Sequence, residues 1–228
     1  MEIIDLSREL YHRTPQYPGQ PPIIHGVWKS HEEAFADSGN IQGNSVHYFS
    51  MPDHGGTHID APRHFSVDGT PINEYPLDNC IVKGICIDLR HIEPKSEITS
   101  SDLEEAVKKT GLTIPKNGTL LLCTGHHERT FPSAAYSTDN PGVNIEATKW
   151  IAEQGFVHFG IDSMRPGPIG DINSLVHKIC HEVNITHLES LCNLEKLIGR
   201  EEFTFICLPL AWRGGTGSPV RAVAVFDI

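Results

Sequence analysis

The chain has 228 residues, 39% hydrophobic and 21% charged, which is ordinary for a soluble globular protein and long enough to bury a sizeable core. No apolar run approaches the roughly 20 residues needed to span a bilayer. The formal net charge of −11 argues against nucleic acid or an anionic membrane as a partner. No internal repeat or low-complexity linker divides the chain, so residues 1–228 read as one domain.

In chain order, Met1-Glu2-Ile3-Ile4-Asp5-Leu6 has no basic region ahead of an apolar one. It reads as a first strand rather than a signal peptide, and a cytoplasmic location is expected. Residues 7–45 are rich in Pro, Gly, Ser and His and read as an irregular arm, because Pro15, Pro18, Pro21 and Pro22 forbid a continuous helix. Short runs of valine, isoleucine, leucine and phenylalanine mark strands at Ile81–Leu89, Thr119–Cys123, Phe156–Ile161, Ile185–Leu188, Thr204–Leu208 and Arg221–Phe226. Helices alternate with some of them. Ser101 and Glu104 fit a capping box, and Gly111 ends that helix. Asn144–Gln154 is a second helix, capped by Asn144 and stopped by Gly155. Asn173–Val183 is a third, closed by Asn184 in a left-handed conformation. Mixed strands and helices indicate an α/β domain. Cys80, Cys86, Cys123, Cys180, Cys192 and Cys207 form no CxxC pair and read as small buried hydrophobes in a reducing compartment.

The densest chemistry lies in His54-Gly55-Gly56-Thr57-His58-Ile59-Asp60-Ala61-Pro62-Arg63-His64-Phe65, where three histidines and an aspartate share eleven positions. Imidazole with carboxylate suits a divalent metal such as Zn²⁺ or Mn²⁺. A helix would place His54 and His58 on one face, but Gly55 and Gly56 would each cost it about 1 kcal/mol relative to alanine. A loop entering a strand fits better. On a strand His58 and Asp60 face the same way, and the glycines let the backbone turn His54 toward them. Pro62 ends the ladder, and His64 follows on an irregular segment. His54, His58 and Asp60 are then ligands, with a position left open for water as in catalytic sites. A second half can come from His177 on the third helix and Glu189 after strand Ile185–Leu188. On spacing alone, that pair stands beside the plainer reading of a surface histidine and a solvated glutamate.

The first block resembles the signature HxGTHxDAPxHF of the cyclase family of metal-dependent hydrolases, which includes bacterial kynurenine formamidase and isatin hydrolase. His177 through Leu188-Glu189-Ser190-Leu191-Cys192-Asn193-Leu194 resembles the family's H-x11-E segment. Phe205-Ile206-Cys207-Leu208-Pro209-Leu210 with Gly214-Gly215-Thr216-Gly217-Ser218-Pro219-Val220-Arg221-Ala222 resembles its glycine loop and last strand. The resemblance implies a mixed-sheet, swivelling β/β/α-type α/β fold with flanking helices. It implies that His54, His58 and Asp60 hold one metal and that Asp60 bridges to a second held by His177 and Glu189. His64 is then the catalytic acid–base group, and His181 matches no ligand position. A homodimer or homotetramer is also implied. Two departures stand out: Thr216 where many members have aspartate, and Asn184 where many have glycine.

The chemistry expected is hydrolysis of an amide C–N bond in a small molecule, assisted by one or two Zn²⁺ ions or by Mn²⁺. N-formylkynurenine is the best single substrate, with isatin or another cyclic amide as the alternative. A metal-binding protein of the same fold without activity is the reading from another class, and the presence of His64 speaks against it. His64 is expected to titrate near pH ~6.5. Tyr17, Trp28, Phe35 and Phe65 are candidates for substrate packing, and Arg165 and Arg213 for a substrate carboxylate. No G-x-S-x-G elbow is present, and Gly214-Gly215-Thr216-Gly217 lacks the Lys-Ser/Thr of a phosphate loop.

Overall fold

The computed structural model describes residues 1–227. Strands β1 (Glu2–Asp5), β2 (Ile24–Lys29), β3 (Val46–Ser50), β4 (His58–Asp60), β5 (Ile81–Asp88), β6 (Glu97–Ile98), β7 (Thr119–Cys123), β8 (Gly142–Val143), β9 (His158–Ile161), β10 (Thr186–Glu189), β11 (Phe203–Ile206), β12 (Gly217–Pro219) and β13 (Val223–Phe226) alternate with helices. The helices are α1 (His31–Asp37), α2 (Pro62–Phe65), α3 (Ser100–Thr110), α4 (His126–Thr130), α5 (Ala135–Thr138), α6 (Ile145–Glu153) and α7 (Asp171–Glu182). Nine strands form one sheet in the order β1-β13-β11-β5-β7-β9-β10-β4-β12. Its centre, β5-β7-β9-β10, is parallel, and the flanking strands pair antiparallel. The α/β expectation therefore holds, as a mixed sheet with helices packed against it.

The parallel strands read as nearly continuous apolar runs because both of their faces are covered. Ile85, Ile87, Leu120, Leu122, Phe159 and Ile161 pack on one face with residues of α3, α6 and α7. Cys86, Leu121 and Cys123, offset by one, join the opposite core with Ile59, Leu188, Phe203 and Phe205. All six cysteines are buried free thiols, matching the sequence reading. Among the described residues no helix is long and apolar enough to cross a membrane.

Four expectations need correction. The segment 7–45 is not irregular throughout. Beyond Pro22 the chain forms β2, which pairs with β3, and then α1, whose start is a capping box of Ser30 and Glu33. The capping box of α3 uses Thr99 and Asp102 rather than Ser101 and Glu104, because the helix begins two residues earlier, directly after β6. His64 lies on the short helix α2 rather than on an irregular segment. Pro62 sits at the first helical position, where a missing N–H costs nothing. Gly111 is left-handed at φ +68, Asn144 caps α6 through the Ala147 amide, and Asn184 closes α7 at φ +55, as their signals predict, but α7 starts at Asp171 after Gly170, two residues before the expected Asn173.

Candidate metal centre

Strand alternation builds the site. His58 and Asp60 point to the face of the sheet opposite Ile59, which lies in the second core. On the neighbouring strand β10, His187 and Glu189 alternate in the same way around Leu188. β4 and β10 pair antiparallel with His58 opposite Glu189, so residues 131 positions apart in the chain meet by backbone register. Two hydroxyls fix this seam. Thr57 Oγ1 donates to the Ser190 carbonyl at 2.6 Å, and Thr186 Oγ1 donates to the Asp60 carbonyl at 2.6 Å. On the other flank of β4, Thr216 Oγ1 donates to Asp53 Oδ2 at 2.6 Å. Helix α7 lies over the seam and brings in His177, and α2 brings in His64.

Asp60 stands at the centre, 1% exposed. Its two oxygens face different groups. Oδ1 is 2.8 Å from His54 Nδ1 and 3.4 Å from His58 Nε2. Oδ2 is 3.2 Å from His187 Nε2, 3.8 Å from His64 Nε2 and 3.9 Å from His177 Nε2. Glu189 completes the ring, with Oε1 at 3.2 Å from His187 Nε2 and Oε2 at 3.5 Å from His58 Nε2. Donor atoms of His54, His58 and Asp60 lie within 4.8 Å of one another, and so do those of Asp60, His177, His187 and Glu189.

The donor set fits divalent cations. His58 Nδ1 donates to the Gly56 carbonyl at 2.9 Å, and His177 Nδ1 donates to the Asn173 carbonyl at 2.7 Å. A carbonyl only accepts, so in each ring the lone pair is on Nε2, directed into the carboxylate cluster. His58 Nε2 and Asp60 Oδ2 are buried with no hydrogen-bond partner. Orphaned buried acceptors of this kind are costly unless something positive satisfies them.

Electrostatics separate the histidines. Burial opposes a charge on His54, but the Asp60 carboxylate, with Asp53 and Glu189 behind it, outweighs burial and lifts its pKa to about 9. Burial would raise the pKa of Asp60, yet the surrounding imidazoles hold it well below the usual carboxylate range. His64 goes the other way. Burial is the main cause, Asp60 opposes it in part, and His54, His177 and His187 reinforce it, bringing His64 down to about 4. The expectation that His64 titrates near 6.5 is corrected: burial, reinforced by three imidazoles from separate segments, keeps it neutral at physiological pH.

Two glycines are required by the geometry. Gly56 adopts φ +71, which turns the chain between His54 and His58. At Gly217 a Cβ would lie 2.7 Å from His54 Cε1 and 3.0 Å from the Ile59 carbonyl. Thr216, in the same loop, places its hydroxyl 3.0 Å from His54 Nε2 while donating to Asp53. The carboxylate missing from the loop at position 216 is thus supplied one bond further out, by Asp53.

The predicted residues His54, His58, Asp60, His64, His177 and Glu189 all converge on one cavity of about 370 Å³. Tyr17, Phe65, Met164 and Arg165 also line it. Arg165 is 6% exposed, with its guanidinium 4.7 Å from the Tyr17 ring centre and Nη2 donating to the Ser137 carbonyl. Trp28, Phe35 and Arg213 are exposed and do not line this chain's own cavity. His181 is exposed, as its lack of a ligand match implies. His187 was missed by sequence reasoning. The signal that could have found it is the period-2 spacing from Glu189, the same signal that paired His58 with Asp60.

The family profile described as "Putative cyclase" matches residues 4–167. Kynurenine formamidase from Bacillus cereus is 29% identical over 226 residues, covering 97% of this chain and 96% of that protein. The enzyme of the same name from Bacillus anthracis is also 29% identical, over 224 residues, covering 96% of this chain and 95% of that protein. Among solved structures, isatin hydrolase A from Ralstonia solanacearum superposes with TM-score 0.83 at 26% identity, covering 99% of this chain and 92% of that one. Isatin hydrolase A from Labrenzia aggregata, bound to benzyl benzoate, gives TM-score 0.84 at 23% identity, covering 99% of this chain and 94% of that one, a likeness of fold. With the profile matched across most of its length and the donor cluster at the centre of its cavity, this chain belongs to the cyclase family.

Proposed function

We propose that the protein is a metal-dependent amidohydrolase that cleaves the formyl C–N bond of an aryl formamide, with N-formylkynurenine as the substrate. The observation that carries this reading is the division of Asp60: one oxygen faces His54 and His58, the other faces His177 and His187, beside the neutral imidazole of His64. His54, His58 and Asp60 would hold one divalent ion, Zn²⁺ or Mn²⁺, and Asp60, His177 and Glu189 a second. Bound ions supply Lewis acidity that polarises a carbonyl and lowers the pKa of water to about 7.

The chain's own residues do the rest. His64, uncharged at neutral pH, accepts a proton from the attacking water at Nε2 as the water oxygen bonds to the formyl carbon. It then donates that proton to the aryl nitrogen as the C–N bond breaks, releasing formate and the free arylamine. Arg165 has a buried Nε with no partner and can pair with a carboxylate on the substrate. Tyr17 and Phe65 offer faces for an aromatic ring.

The likeness to isatin hydrolases favours a second reading, in which the bond cut is the internal C–N bond of a cyclic amide and both products stay in one molecule. A panel of N-formylkynurenine, isatin and simple cyclic amides separates the two. His64→Ala separates both from an inactive binder: an amidohydrolase loses turnover while keeping its metal, whereas a binder has no turnover to lose.

A further inference from the structure

The second donor set contains one member more than the family resemblance supplies. His187 is wholly buried, between the rings of Phe65 and Phe159, each 5.5 Å from its own. Its Nδ1 meets only the Cys180 sulfur, at 3.8 Å, a weak partner. Its Nε2 lies 3.2 Å from Asp60 Oδ2 and 3.2 Å from Glu189 Oε1. His177 Nε2 is 3.9 Å from each of the same two oxygens.

We propose that His187 is a direct ligand of the second ion, so that Asp60, His177, His187 and Glu189 form a closed four-donor cage beside the open three-donor site of His54, His58 and Asp60. A tetrahedral ion with bonds of about 2.1 Å spaces its donors by about 3.4 Å. The four histidine–carboxylate separations, two at 3.2 Å and two at 3.9 Å, bracket that spacing. Four protein donors leave no coordination position for water, which is the mark of a structural zinc site, whereas three donors leave one open. The two sites therefore divide the work. The caged ion orders Asp60 and Glu189, and only the ion held by His54, His58 and Asp60 exchanges water or substrate.

The inference rests on the two-ion reading of the centre, and the test separates them. Metal-free wild-type protein, His54→Gln and His187→Gln are titrated with Co²⁺ and followed in the visible spectrum. Wild type should take up two ions. His54→Gln should keep one, with the intense absorption of four-coordinate Co²⁺. His187→Gln should bind that ion at least about 100-fold more weakly and lose that absorption, since even outer-shell partners are worth 10–100-fold. Failure of wild type to bind Co²⁺ at all would sink the two-ion reading itself. Unchanged or tighter binding of both ions in His187→Gln, with an unchanged spectrum, would overturn the role of His187 and leave that reading standing. A second measurement needs no variant. In ¹⁵N-histidine-labelled wild type, Zn²⁺ should shift the His187 Nε2 resonance into the metal-bound range, and an Nε2 still protonated at saturation would overturn the proposal.

Discussion

Replacing Asp60 by Asn tests the electrostatics of the centre without any metal. Asp60 Oδ1 and His54 Nδ1 are 2.8 Å apart, and their side chains are 1% and 8% exposed, so solvent screens the pair little. Against burial, Asp60, with Asp53 and Glu189 behind it, lifts His54 from 6.5 to about 9, worth about 3 kcal/mol of differential interaction in all. His54 is thus protonated in the folded metal-free protein at pH values where it is neutral in the unfolded chain. A raised folded-state pKa gives stability that is fully present below pH 6.5 and is lost as pH rises through about 9. Metal-free wild type should therefore lose about 3 kcal/mol from protonated His54 between pH 6.5 and pH 9. In Asp60→Asn the His54 pKa should fall well below 9, and most of that loss should vanish. Histidine Cε1–H NMR titration of both proteins reads the pKa, and urea unfolding in the presence of chelator reads the stability. A His54 that still titrates near 9 in Asp60→Asn would refute the reasoning.

Other perturbations address separate parts of the centre. His64→Gln should lower turnover by about 10²–10⁴-fold, the usual worth of a positioned acid–base group, with metal content by elemental analysis unchanged; loss of metal would mean that His64 is a ligand. Gly217→Ala should weaken ion binding at the His54 site at least about tenfold, because its methyl would displace the His54 ring; an unchanged titration with Co²⁺ would contradict that packing. His158, outside the cavity, is fully buried. Burial brings it down to about 4, opposed in part by its bond to the Asn79 carbonyl. Its folded pKa lies below the unfolded value, so stability is present above pH 6.5 and about 3 kcal/mol is lost as pH falls from 6.5 to 4. His158→Asn should flatten that slope in urea unfolding, and identical slopes would refute it.

The first ligand set was legible because it is local. Alternation about Ile59 and a turn at Gly56 place His54, His58 and Asp60 without reference to any other segment. The second set depends on β4 lying beside β10, and long-range register leaves no trace in local composition. His187 shows the cost. Between Thr186 and Leu188 in the strand, it reads as strand filler until Glu189 is placed on the same face. The helix caps show a different ambiguity. Thr99, Ser100 and Ser101 are all capping residues, with Asp102, Glu104 and Glu105 downstream, and burial of Ile98 at the end of β6 decides among them. At α1 the capping pair Ser30 and Glu33 stands just after a proline-rich run, whose composition masks it. The low pKa of His64 is the least local property of all, since it sums burial and three imidazoles from β10, α7 and the loop before β4.

The central claim is that Asp60 joins two donor sets around divalent cations that hydrolysis requires. Metal analysis of the purified protein, paired with N-formylkynurenine turnover before and after chelation, tests it most directly. Two ions per chain are expected, with turnover falling at least about 100-fold on chelation and returning with Zn²⁺ or Mn²⁺. Metal-free protein that retains full turnover would contradict the account.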